Sequence, residues 1–319
     1  MKSLELSNPF TITKKPLNPD VAGAVDLLID KETGEEVREA LKGTAAVEPT
    51  PVEDFGVDPT DDFISAEQKA EITAIKEAKE VKKFFGENFF GQKQIESAFT
   101  IKNEQGQDIK LVDLSPAERQ QAEQMLIKKL QEPDIKTFLS KQENQQDIKD
   151  GKYLLILRVN TIKVNGQDIP LTIKTMNDLI APDMMNKGQG KLLFNTRTES
   201  FYTTTIPTFE WTIVTKDVVK RTLGEKHSDQ TTKLQEEAKR IGLDSTKIKR
   251  RQLVQTVYDH MVSLRTINQR LLINRYDWSD ENSSPGYLAC VGSGDSSGLN
   301  LCDGAPDDSD GRLGASLSR

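Results

Sequence analysis

The chain has 319 residues, enough for two domains or for one domain with an extended arm. With 29% charged residues, 35% hydrophobic residues and a mean hydropathy of −0.56 it reads as a soluble protein with a modest core; no stretch approaches the apolar run of a membrane span, and the start, MKSLELSNPF, lacks the apolar core of a signal peptide, so the expected location is cytoplasmic by default, with export by another route left open. The net charge of −7 is concentrated in residues 1–65, where six Lys and Arg face fourteen Asp and Glu; the remainder is near neutral, which excludes a global nucleic-acid-binding field.

Residues 1–65 hold six of the thirteen prolines in an acidic stretch with few aromatics, the composition of a disordered arm, with transient helices at 21–28 and 35–41. Ser65 and Gln68 have the spacing of a capping box, and Ile72, Ile75, Ala78, Val81, Phe84 and Phe85 follow at helical spacing, predicting a helix over 66–85 that FGENFFGQ breaks. Residues 98–101 and 109–112 flank the turn NEQGQD as a short hairpin. Ser115-Pro116-Ala117-Glu118 starts a helix to about Leu130, residues 134–139 add a turn, and KQENQQDIKD reads as a polar linker. From Lys152 the period becomes strand-like: YLLILRV, then a hairpin turning at Asn165-Gly166. Residues 176–179 read as a helical turn, 191–195 as a strand and 201–214 as an extended segment. A helix over 231–241 ends at Gly242; a long one over 246–272, capped by Ser245, carries an apolar stripe from Leu253 to Leu272 that reads as a core face. The basic cluster Lys247, Lys249, Arg250 and Arg251 reads as its solvated end.

Little in the chain points to catalysis. Its two histidines, His227 and His260, accompany no nucleophile motif, and the Gly/Ser-rich stretch 292–298 precedes no helix and lacks a phosphate-loop Lys. Asp303, Asp307, Asp308 and Asp310 offer hard oxygen ligands but lack the spacing and closing Glu of a calcium loop. No enzyme activity, cofactor or metal is expected. Cys290 and Cys302 could bridge, although two thiols in a cytoplasmic protein are more often reduced.

The tail is the most unusual stretch. After Glu281 it contains no Lys, Glu, Gln, Met or Trp, the five residue types that no pyrimidine-ending codon encodes. Leu288/Cys290, Leu299/Leu301 and Leu313/Ala315/Leu317 alternate between glycine turns, as strands do. Tyr276-Asp277-Trp278-Ser279, Gly286, Val291-Gly292, Asp295, Gly298 and the ending LGASLSR give this segment a resemblance to the variable region of proteins diversified by diversity-generating retroelements, on the formylglycine-generating-enzyme-like branch of the C-type lectin fold. The resemblance is strong over 276–319, weak over 152–272, where Ile206-Pro207-Thr208 and Glu210-Trp211 match loosely, and absent before that.

The expectation is therefore an α+β protein: a disordered acidic arm (1–65), a small helical region with a short hairpin (66–150), and a C-type-lectin-like domain (151–319) with variable region 276–319. The resemblance implies non-catalytic binding of a protein or other macromolecule. Trp278, Val291, Gly292, Gly298, Leu313, Gly314 and Arg319 would form the scaffold. The binding face would hold Asp280, Asn282, Tyr287, Ala289, Ser293, Asp295, Asn300, Asp303, Asp307, Asp308, Asp310 and Arg312. The competing expectation is a structural or phage-assembly protein whose polar terminus is a loop-rich cap.

Overall fold

The computed structural model describes residues 66–319; the arm over 1–65 and the helical tendencies expected there lie outside the described residues. Helix α1, Ala66–Phe85, has the bounds its apolar spacing predicts. Ala78 and Phe85 are buried, with Val81 and Phe84 packed beside them. Gly86, at φ +55°, takes the left-handed conformation that ends the helix. Strand β1, Phe89–Phe90, follows, and then helix α2, Gln92–Ala98, which corrects the reading of this stretch as a plain break: its buried Ile95 and Ala98 supply an apolar face too short to stand out. Strands β2, Thr100–Lys102, and β3, Asp108–Lys110, form the expected hairpin with Ile101 opposite Ile109.

Helix α3, Pro116–Gln131, starts on a reciprocal cap. Ser115 Oγ accepts from the Glu118 N–H at 3.3 Å, and the Glu118 carboxylate accepts from the Ser115 N–H at 2.7 Å. Helices α4, Pro133–Ser140, and α5, Gln142–Lys149, follow. The polar linker KQENQQDIKD is thus mostly helix. Two buried side chains hold α5: Ile148, and Asn144, whose amide donates to the carbonyls of Phe138 and Ile241.

Strand β4, Tyr153–Arg158, is buried at all six residues. The hairpin of β5, Thr161–Val164, and β6, Gln167–Pro170, turns at Asn165 (φ +52°) and Gly166 (φ +79°), the conformation an Asn-Gly pair favours. Helices α6, Ile173–Leu179, α7, Ala181–Asn186, and α8, Ser200–Thr203, lead to strand β7, Glu210–Thr215. The expected strand at 191–195 makes only a bridge, Leu193 to Leu299, and the expected extended run 201–214 begins as α8. In the first sheet β4 is central, with β1 parallel on one side and β7 antiparallel on the other. A strand from before residue 150 therefore joins strands from after it, and one apolar cluster runs from Ala78 to Leu317, so the division at 150 does not separate two cores.

Helix α9, His227–Ile241, ends on Gly242 at φ +86°, as expected. Helix α10, Leu253–Ile267, is shorter at both ends than the 246–272 read from the stripe. Its start is displaced because Lys249 N–H pairs with the Ser318 carbonyl and Arg251 turns into the interior, and its end because Asn268 adopts φ +54°. Every residue from Leu253 to Leu264 is buried, so α10 is a core helix. The second sheet runs β10-β9-β8-β11, with β8 Tyr276–Ser284, β9 Tyr287–Asp295, β10 Gly298–Gly304 and β11 Leu313–Gly314. The last residues leave β11 and pair with β7 through Ile213–Arg319 and Thr215–Leu317, tying the two sheets together.

Candidate functional site

Register defines the two faces of the second sheet. Residues directly opposite on antiparallel strands share a face, so Trp278, Cys290 and Cys302 form one row, with Tyr276, Gly292 and Asn300 beside it. The opposite face carries Ala289, Val291, Leu299 and Leu301, all buried in the main core. Asp277 lies on that inner face, and there it enters a polar network.

That network corrects the reading of the basic cluster as a solvated helix end, because Arg250 and Arg251 are both buried. Arg251 lies 3.0 Å from Asp277 and 3.2 Å from Asp259, and Asp259 pairs with Arg158 at 2.7 Å, all four side chains being 2% exposed or less. Burial works against the Arg158 charge, but Asp259 outweighs it and holds its pKa above the ordinary value. Asp277 also accepts from Thr256 Oγ1 and from the Ser316 N–H. Two cations and two anions thus join β4, α10, β8 and the C-terminal strand without a net buried charge. Glu281 adds a further tie: its carboxylate accepts from the Leu253 N–H at 2.7 Å, at the N-terminus of α10, and burial raises its pKa.

Glycines hold the strands close. A Cβ on Gly292 would stand 1.9 Å from the Arg275 carbonyl oxygen; one on Gly298, already at φ +101°, would stand 2.7 Å from the Leu193 carbonyl carbon. Trp278 is fully buried between the sheet and the start of α9, its ring edge-on to His227 at 5.4 Å. Cys290 and Cys302 face each other across β9 and β10 with Cα atoms 4.9 Å apart and are disulfide-bonded, where reduced thiols are the commoner expectation for a cytoplasmic chain. The seven expected scaffold residues all have buried side chains or are buried glycines. Arg319 packs against Glu132 and Asp134, the latter at 2.7 Å, and it holds the Asp134 carboxyl down at about 2 although burial pushes the other way.

The twelve candidate binding residues divide. Eight are exposed: Asp280, Asn282, Tyr287, Asp295, Asp303, Asp307, Asp308 and Arg312; Ser293, Asn300 and Asp310 are partly covered. Ala289 is a correction. It is fully buried, in phase with Val291 two residues on, and cannot meet a ligand. The others do not make one continuous patch. Asn282 and Tyr287 flank the β8–β9 turn, and Asp303 joins them through Ser283 at 3.3 Å and Arg197 at 3.5 Å. Asp280 lies at the bulge of β8, 3.0 Å from His227 Nε2 and 3.4 Å from Arg250; the His227 contact, with Arg250 behind it, lowers its pKa against the effect of burial. It borders a cavity of about 270 Å³ lined by Thr231, Leu234, Gln235, Ile248, Lys249 and Arg250. Asp310 pairs with Arg312, which lies over the Tyr276 ring. Ser293 and Asp295 sit at the opposite end of β9, roughly 20 and 27 Å from Tyr287 at about 3.3–3.4 Å per residue.

No group of three or more His, Cys, Asp or Glu among the described residues is placed to hold a metal ion. No described helix is long and apolar enough to cross a membrane. Sequence reasoning missed the large apolar side chains that stand exposed beside the second sheet, Phe194 at 62% and Ile273 at 58%; both precede the compositionally biased tail, and nothing in their local pattern marks them as outward-facing. No protein-family model, curated protein or solved structure matches the chain.

Proposed function

We propose that this chain is a non-catalytic binding protein, diversified at its C-terminal surface in the manner of the retroelement variable proteins that its tail resembles, on a C-type-lectin-like scaffold, with another protein as ligand. One observation carries the reading. In a segment whose residue types are those of pyrimidine-ending codons, the residues expected to be scaffold have buried side chains or are tightly packed glycines, while all but one of those expected to vary reach the surface. A tail diversified without regard to the fold would not sort in this way, because adenine-directed mutation strikes buried and exposed codons alike.

The test is a library of the full chain randomised with pyrimidine-ending codons at Asn282, Tyr287, Asn300, Asp303 and Asp308, displayed and selected on unrelated folded proteins. Most members should be soluble, and clones with different targets should emerge. A mostly insoluble library would overturn the reading. The gene neighbourhood gives a second check: a near-identical copy of the 282–319 coding sequence, with adenines at the mismatched sites and a reverse transcriptase gene beside it.

A further inference from the structure

One nitrogen of Arg250 is left over by the interior. The side chain is 3% exposed, and two of its three guanidinium nitrogens are taken up inside: Nη1 donates to Gln230 Oε1 at 2.9 Å and to the Trp278 carbonyl at 3.3 Å, Nη2 to the His227 carbonyl at 2.6 Å and to Thr231 Oγ1 at 3.3 Å. Nε makes no hydrogen bond, and among the described residues Arg250 pairs with a single carboxylate, Asp280, whose Oδ1 lies 3.4 Å from it. His227 Nε2, buried and likewise without a hydrogen bond, stands 3.0 Å from the same oxygen. Two buried nitrogens thus converge on one carboxylate, and the side chain that supplies it is mostly exposed, at the bulge of β8. The other two carboxylates of this strand are engaged elsewhere, Asp277 with Arg251 and Glu281 with the Leu253 N–H. Asp280 is one of the residues expected to vary, so the group that answers Arg250 is also one that is free to change.

Both residues line the cavity of about 270 Å³, in which Leu234 and Ile248 supply apolar wall and Lys249 a second cation. We infer that this cavity is a subsite for a carboxylate on an aliphatic stem, such as a glutamate side chain of a protein ligand, which Asp280 fills with its own carboxylate in this chain and vacates when residue 280 becomes neutral. The vacating by variation rests on the diversified binding function proposed above; the cavity and its buried arginine do not. Charge fixes the kind of group. Asp280 is the one acid among the lining residues, so a neutral residue there leaves Lys249 and Arg250 facing the cavity with no anion. A buried arginine without a partner is costly, and its planar donors match a carboxylate better than any neutral acceptor. Leu234 and Ile248 would cover the methylenes of the stem, a few placed polar groups among apolar ones being what a ligand site needs.

The test compares Asp280→Ser, a replacement that a pyrimidine-ending codon provides, with wild type in the full chain, by NMR titration at constant ionic strength. The probes are 4-methylpentanoate, its neutral amide, and the blocked tripeptides acetyl-Ala-Glu-Ala-amide and acetyl-Ala-Gln-Ala-amide. The acid and the Glu peptide should bind the variant about tenfold or more tightly than wild type, the worth of one charge-assisted hydrogen bond, and the two neutral probes should bind neither protein. Adding Arg250→Gln to the variant should abolish binding. If that protein has no melting transition, Lys249→Glu, on an exposed side chain, takes its place and should weaken binding by about fivefold or more. No binding by the variant, equal affinity in variant and wild type, no preference for acid over amide, or indifference to both Arg250 and Lys249 would overturn the inference. Binding of the free acid without the Glu peptide would assign the cavity to small carboxylates and overturn its part in protein recognition. These titrations involve no selection, so their failure leaves the binding function standing, and failure of the library in the test above leaves the cavity standing.

Discussion

The two sheets are built from opposite materials. In the first, β4 is Tyr-Leu-Leu-Ile-Leu-Arg, buried throughout, and β7 adds Trp211, Ile213 and Val214; buried apolar area is the main support of these strands, with Arg158 at the end of β4 tied to Asp259. In the second, β8 to β10 are mostly Ser, Gly, Asp, Ala, Asn and Cys, and few of their side chains bury much area. Their positions are fixed instead by polar ties to residues upstream: Asp277 to Arg251, Glu281 to the start of α10, Asn195 to Leu301, Thr222 Oγ1 to the Ala315 N–H. The difference teaches how a sheet can be specified while its outer side chains remain free: backbone and inward polar groups carry the specification, and outward positions are released from it.

The strongest way to break the comparison is to cut a polar tie. Asp259→Ala would leave Arg158 and Arg251 buried with one carboxylate fewer between them, and a destabilisation of about 5 kcal/mol is expected in urea denaturation, the upper end for a broken buried pair. A loss below about 1 kcal/mol would mean that the second sheet does not depend on the network. Trp278→Ala tests the opposite claim, that the outer face of this sheet has one large apolar anchor. Emptying that site should cost about 3 to 4 kcal/mol, and wild-type stability would remove Trp278 from the scaffold.

Much of the fold was legible because the signals were local. The Ser115–Glu118 cap, the Asn165-Gly166 turn and the Gly242 stop each act within a few residues, and all stand where expected. Two of the failures share one cause, a distant partner. Arg250 and Arg251 looked like a solvated cluster because their partners lie 8 to 30 residues away and, through Asp259, at Arg158. Helix α10 starts late because the C-terminal strand, some 70 residues on, claims Lys249. At the candidate site, alternation located the strands but not which phase met the core, since Leu288 and Cys290 face the small Trp278 cluster while Ala289 and Val291 face the large one. Choosing Val291 as scaffold already implied an inward Ala289, a signal present in the sequence and unused.

Acid sharpens the comparison at a third level. His260 is fully buried on α10; its Nδ1 accepts from the Leu271 N–H, and its ring lies under Gly294, so it supports the end of β9 from below. Burial, with Arg270 adding to it, brings its pKa from 6.5 down to about 3. Between those values the unfolded chain binds a proton that the folded one does not, so stability is full above pH 6.5 and falls as the pH drops towards 3. From pH 8 to pH 5, above most carboxylate titrations, the loss should be about 2 kcal/mol, and His260→Asn should abolish that slope whatever it does to the absolute stability. An unchanged slope would mean the histidine is protonated in the fold.

The smallest expected effects bear most directly on the released positions. Tyr287, Asn300, Asp303 and Asp308 have outward side chains that serve no cap and no core, so replacing each by Ser or Asn, or Asn300 by Ser, should change stability by less than about 0.5 kcal/mol and the four together by little more than the sum. Asp303 is the sternest case, because it pairs with Arg197 at 3.5 Å and touches Ser283; both ties are at the surface and water replaces them at small cost. Ser293 is the informative exception. It reaches the surface, but at φ +53° it admits Asn, Asp or Gly with ease, while Ser293→Val should cost about 1 to 2 kcal/mol through backbone strain alone. Thermal melts of these variants would therefore divide outward positions by backbone and not by exposure. Equal tolerance at Ser293 and Asn300 would show that the backbone at this end of β9 is soft and that its positive φ constrains nothing.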